Sequence, residues 1–126
     1  MGFRAFSLPL ALLLGLLVIA WAEPAMTGPE LADKIKDLDG QDVVFQDSAV
    51  KIWKVADKDD PVRFDTTYLR CEMPNDPTHA PQLDLLREIL DQKTGSHLVR
   101  VSGKVVRFKE FEFRIAVDRI ERPHYR

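Results

Sequence analysis

The chain has 126 residues, 18 Lys+Arg against 20 Asp+Glu, and a formal net charge of −2. That length holds one small domain, and mild acidity gives no general electrostatic reason to bind nucleic acid or anionic lipid. Cys71 is the sole cysteine, which excludes an intrachain disulfide and leaves it buried, linked to another chain, or reactive.

Met1 to Ala22 reads as a signal peptide. Arg4 supplies the positive start, Leu8 to Ala20 the apolar run, and Ala20-Trp21-Ala22 the small-x-small cleavage pattern. The apolar run is short for a bilayer span, which needs about 20 residues. Export to a periplasmic or extracellular compartment is expected, with no stable membrane insertion after cleavage. The alternative is an uncleaved anchor with Trp21 at the interface. Removing residues 1–22 of 126 leaves 104, and losing Arg4 takes the net charge from −2 to −3.

Residues 23–41 form a lead and a short helix. Thr27-Gly28-Pro29-Glu30 matches a capping box, with Pro29 in the first turn where its missing N–H is harmless. Leu31, Ile35 and Leu38 share one helical face, and Gly40 ends the helix. So short a helix must dock to be stable, as a plug over one opening or edge of a sheet.

Asp42 to Val55 reads as strand, broken at Asp47-Ser48, so either a bent strand or a tight hairpin is expected. Asp57 to Pro61 is a charged turn. Val62 to Met73 reads as the next strand, with a change of side near its end that implies a bulge or burial on both faces. Pro74 to Pro81 carries three prolines and reads as loop. A helix follows over 82–93, with Leu83, Leu86 and Leu90 on one face, Leu85 and Ile89 beside them, and Gly95 as its C-cap.

A long hairpin then spans His97 to Glu121, turning at Lys109-Glu110. Val99, Val101 and Val105 share one parity; Phe111, Phe113, Ile115 and Val117 share another. Val101 and Phe113 are expected to be the most important buried side chains. Residues 122–126 are a tail set off by Pro123.

The order of three strands, helix and two strands over 42–121 resembles an OB-fold, together with the V-x-V-x-G-x-V pattern at Val99 to Val105. The resemblance implies a mainly β domain with two short helices, built as a small five-stranded antiparallel Greek-key barrel. Gly103 would sit where the strand bends around it.

Chemical motifs are sparse. Cys71, His79, His97 and His124 lack metal-ligand spacing, so no metal or other cofactor is expected. Asp57, Asp59 and Asp60 lack the order of a calcium loop. Basic and aromatic residues on the strands are more informative. Trp53, Tyr68, Arg70, Arg100 and Arg107 are the candidate ligand-binding residues, on one outward sheet face. The expected function is an exported, non-enzymatic binding module for a protein, an oligosaccharide or another extended ligand, with nucleic acid disfavoured by acidity. The alternative is a small thiol-dependent enzyme, or a haem- or metal-handling periplasmic factor, using Cys71 and the histidines. Oligomeric state is left open.

Overall fold

The computed structural model describes residues 25–123. Residues 1–24, which include the expected signal peptide, and residues 124–126, which include His124, lie outside the described residues. Within them run β1 (Met26–Thr27), α1 (Gly28–Lys34) continued by a 3-10 turn (Ile35–Leu38), β2 (Asp42–Ile52), β3 (Val62–Thr66), β4 (Arg70–Met73), α2 (Ala80–Asp91), β5 (Leu98–Lys109) and β6 (Glu112–Glu121).

β2 is the strand on which the barrel closes. Its first half pairs antiparallel with β5, from Asp42 opposite Lys104 to Ser48 opposite Leu98. Its second half pairs with β3, and β3 with β4. β5 and β6 form the long hairpin. β4 meets β6 to complete a five-strand OB-like barrel, and this pair is parallel. The expectation of an all-antiparallel barrel is therefore corrected, for a simple reason. Five strands cannot alternate in direction around a closed ring, so one neighbouring pair must run the same way. The crossover through α2 places that pair at β4–β6.

β1 lies on the edge of β2 opposite β5, because Phe45 pairs with both Met26 and Val101. Behind it, Thr27 caps the helix as the sequence led one to expect: Glu30 N–H donates to Thr27 Oγ1 at 3.3 Å. Leu31 is fully buried, and Ile35 and Leu38 pack on the core margin. Gly40 ends this segment with φ +79°.

Asp47 does not break β2. It takes the inward parity between Phe45 and Ala49, and its carboxylate accepts from Tyr68 N–H (2.9 Å) and Ser48 N–H (3.0 Å). Backbone donors offset the burial of this charge. β2 is thus one bent strand, not a hairpin. A bulge between Ala49 and Lys51 leaves Val50 exposed and turns Lys51 outward opposite Asp65.

Val62 to Met73 is two strands rather than one. Thr66 closes the turn between them: its N–H donates to Leu69 C=O (2.9 Å), and Leu69 N–H donates back to Thr66 Oγ1 (3.2 Å). That turn, not a bulge, produces the change of side.

α2 starts at Ala80, two residues before expectation, with Pro81 in its first turn. Leu86 and Ile89 are its fully buried residues. Gly95 has φ +98° but lies in the following loop; the helix ends at Gln92. The Gln82 side chain accepts from Ile120 N–H at 2.6 Å, fastening α2 to β6.

The inward parity of β5 and β6 supplies Val99, Val101, Val105 and Ile115 to the core, all fully buried, where they join Phe45, Phe64, Met73 and Leu86 from the other elements. Gly103 sits at a register shift beside Ala116. A Cβ there would lie within the contact radius of the Ala116 carbonyl oxygen and 2.9 Å from Ile115 Cγ2, so the bend requires glycine. The hairpin turns at Glu110-Phe111, and Arg107–Lys109 carries a second shift. Phe111 is consequently 79% exposed and Phe113 only half-buried, which corrects the expectation that both are core.

Candidate binding face

Three dipeptide-spaced charge pairs lie on the strands: Arg63 and Asp65 on β3, Arg70 and Glu72 on β4, Glu112 and Arg114 on β6. Period-two geometry puts both members of each pair on the outer face, while Phe64, Cys71 and Ile115 point inward. The strand order β3-β4-β6 then sets the three pairs side by side.

Opposite charges meet across every boundary. Arg63 Nε is 3.3 Å from Glu72 Oε1. Glu72 accepts in turn from Arg114 Nη1. Arg114 Nη2 lies 3.6 Å from Glu112 Oε1, and Arg70 Nη1 donates to the same oxygen at 3.0 Å. The result is an alternating run of five residues, Arg63–Glu72–Arg114–Glu112–Arg70, with a guanidinium at each end. Its centre is sheltered and its ends are open: the Arg114 side chain is 13% exposed, those of Arg63 and Arg70 56% and 64%. Arg114 also stacks on Phe108, with its guanidinium carbon 3.5 Å from the ring centroid, and its buried Nε has no partner.

Trp53 stands at the other margin. Its backbone N–H donates to Arg63 C=O at 2.8 Å, and its indole Nε1 donates to Asp65 Oδ2 at 3.0 Å. The Lys51 ammonium lies 3.7 Å from the indole centroid. Between Trp53, Lys54, Arg63, Arg70 and Arg114 opens a concavity of about 300 Å³, with Cys71 at its floor.

Cys71 is almost fully buried. Burial, reinforced by the charges of Asp65 and Asp47, pushes its thiol pKa far above the ordinary range. It is a protonated core thiol at neutral pH. His79 is engaged elsewhere: its Nδ1 lies 2.7 Å from Asp76 Oδ1, a hydrogen bond that holds the Asp76 carboxyl below its usual pKa. No group of three or more His, Cys, Asp or Glu among the described residues is placed to hold a metal ion.

Of the five residues singled out in the sequence, the fold brings Trp53 and Arg70 together at this concavity. Tyr68 is exposed in the β3–β4 turn, where its backbone meets Asp47. Arg100 lies on β5 opposite Gln46 and Glu121. Arg107 braces the hairpin turn, donating from Nε and Nη2 to the Glu110 carbonyl at 3.2 and 2.8 Å. Phe108 escaped the sequence reading altogether, and Arg63 and Arg114 were not given a place in the site. The signal that finds them is the i, i+2 pairing of opposite charges on three successive strands.

No protein-family model matches the sequence, and comparison with curated proteins gives no match. Among solved structures, the fold is similar to that of OBody AM1L10, solved bound to hen egg-white lysozyme. The TM-score is 0.52 at 12% identity, and the match covers 71% of this chain and 85% of the other. At that identity the likeness establishes the OB-like barrel and nothing about the site.

Proposed function

We propose that this chain is an exported, non-enzymatic binding module that holds a protein partner on the outer face of β3, β4 and β6. The observation that carries the reading is the alternating run of five charges set between two exposed aromatic rings, Trp53 and Phe108. Protein interfaces are enriched in aromatic residues and arginine, and complementary charge fixes their register. OB barrels bind ligands on their second and third strands and the adjoining loops. Here those strands are β3 and β4, flanked by the loop after Trp53 and the Glu110-Phe111 turn.

Other ligand classes fit less well. A phosphate backbone laid along this face would meet Glu72 and Glu112 among the arginines. An oligosaccharide uses an open aromatic platform, whereas Lys51 covers one face of Trp53. Thiol chemistry lacks support because Cys71 is buried and protonated. Export rests on the sequence of Met1 to Ala22, and amino-terminal sequencing of the native protein tests it; Glu23 is expected as the first residue.

The binding test uses the chain as bait in the native exported fraction. A partner should be captured by the wild-type chain and by Arg87→Ala, whose residue lies on α2. Trp53→Ala combined with Arg70→Ala should lose it while keeping the wild-type melting temperature within a few degrees. Undiminished capture by the double variant would remove this face from the proposal.

A further inference from the structure

We infer that the concavity beside Trp53 takes a carboxylate side chain from an acidic segment of a partner protein, gripped by Arg63 and Arg70. This inference rests on the protein-binding reading above and names the group that the face recognises.

The argument begins with the count of charges. The run holds three guanidiniums and two carboxylates, and it is a cation that stands at each end. Lys54 adds a further cation to the lining. The two anions of the lining are already engaged, Asp65 by the indole N–H of Trp53 and Glu72 by Arg63 and Arg114. A carboxylate placed beyond Arg63 or Arg70 continues the alternation rather than interrupting it.

Unused donors lead to the same place. A guanidinium carries five N–H donors in a rigid fork. Arg63 contacts Glu72 through Nε, and Arg70 contacts Glu112 through Nη1. Both terminal nitrogens of Arg63, and Nε and Nη2 of Arg70, have no hydrogen-bond or ion-pair partner among the described residues. Both side chains are more than half exposed, so these donors reach solvent. Their carboxylate partners nonetheless hold each arginine in place, which reduces the ordering entropy a ligand must overcome. Two parallel N–H···O bonds to one carboxylate suit this geometry, and a point-like ammonium would not supply them.

Size selects a side chain rather than a chain. About 300 Å³ stands at the lower limit of ligand pockets and accommodates one acidic residue with part of an apolar neighbour. The Trp53 indole, fixed by Asp65 and Lys51, is the wall that such a neighbour meets.

The experiment uses the chain purified from the exported fraction and carrying Trp21→Phe. Trp53 is then the sole tryptophan, whether or not residues 1–22 are removed. Its emission is followed against three probes: a peptide of alternating glutamate and phenylalanine, the same peptide with glutamine for glutamate, and a thymidine oligonucleotide of equal length. Calorimetry on the same samples reads binding if the emission does not move. The glutamate peptide should bind saturably and weaken as salt rises. The glutamine peptide should bind at least tenfold more weakly, and so should the glutamate peptide to Arg63→Gln or Arg70→Gln. Arg87→Gln should match wild type. Equal binding of the two peptides overturns the inference, as does tighter binding of the oligonucleotide. No binding of the glutamate peptide, with Trp53- and Arg70-dependent partner capture intact, removes the carboxylate site and leaves the binding module standing. Loss of that dependence as well removes both.

Discussion

The guanidinium of Arg114 stacks on the ring of Phe108 on β5 while its two terminal nitrogens reach Glu72 on β4 and Glu112 on its own strand. One side chain thereby ties β4, β5 and β6 together from the outside of the barrel. Lysine can replace neither the fork nor the stack. Arg114→Lys and Arg114→Ala should therefore both destabilise, by about 1–3 kcal/mol each, since two half-sheltered carboxylates lose a shared donor. Chemical denaturation with an unchanged slope checks this; a neutral Arg114→Lys would mean that a single point charge suffices.

Gly103 lies against the Ala116 backbone, where the obstacle is a carbonyl rather than a movable side chain. Gly103→Ala should lower stability by about 1–3 kcal/mol through overpacking. The same substitution at Gly40, whose surroundings are open, meets only the strain of a positive φ. Melting temperatures of the two variants should rank Gly103→Ala lower.

Asp47 holds the β3–β4 turn through Tyr68 N–H and sits under the start of α1, where a Cβ on Gly28 would lie 2.8 Å from its Oδ1. Asp47→Ala leaves two part-buried backbone donors without an acceptor, at a cost of about 1–3 kcal/mol. Amide exchange should speed up first at Ser48 and Tyr68, not in the β5–β6 ladder.

The Cys71 thiol is held protonated by burial, with Asp65 and Asp47 adding to the effect. Its folded pKa is raised above the unfolded value of about 8.5. The native state therefore keeps a proton that the unfolded state releases, so stability falls as pH rises past that value. Below it the contribution is complete. Comparing wild type with Cys71→Ala between about pH 7 and pH 10 isolates the effect, since the variant should lose less stability over that window. A thiol reagent should react with wild type at the rate of unfolding; rapid labelling of the folded chain would contradict the burial.

Much of the fold was legible where one local rule decides the outcome. Thr27 and Glu30 announce the helix start because their bond spans three residues. Gly103 announces the bend because no other residue fits there. Val99, Val101 and Val105 announce the core by parity alone. Legibility ends where a feature depends on pairing. The Thr66–Leu69 turn contains no glycine, proline or asparagine, so the sequence gives no break there; a threonine hydroxyl does the work instead. Phe111 alternates correctly with Phe113 and Ile115, yet the turn claims it. Asp47 looks like an interruption until Tyr68, 21 residues away, supplies its donor.

The candidate site follows the same division. Trp53 and Arg70 could be named from residue type. The run of five charges could not be assembled, because Glu72 and Arg114 lie 42 residues apart and meet only through the parallel β4–β6 pair. Reading that pair as antiparallel places other residues opposite one another. Arg100 and Arg107 share the basic character of the face but not its position, since β5 turns away around the barrel.

The bond from Ile120 N–H to the Gln82 side chain has a consequence for how the folded chain behaves in company. A strand edge with free N–H groups is a template onto which another molecule can add a strand of its own. β4 leaves β6 after Glu72 meets Ala116, so the far half of β6 would present such a template. Gln82 occupies it at Ile120 with a side-chain amide, which carries no further backbone for a neighbour to extend. Sheet growth along β6 is stopped at that point by a side chain of the helix.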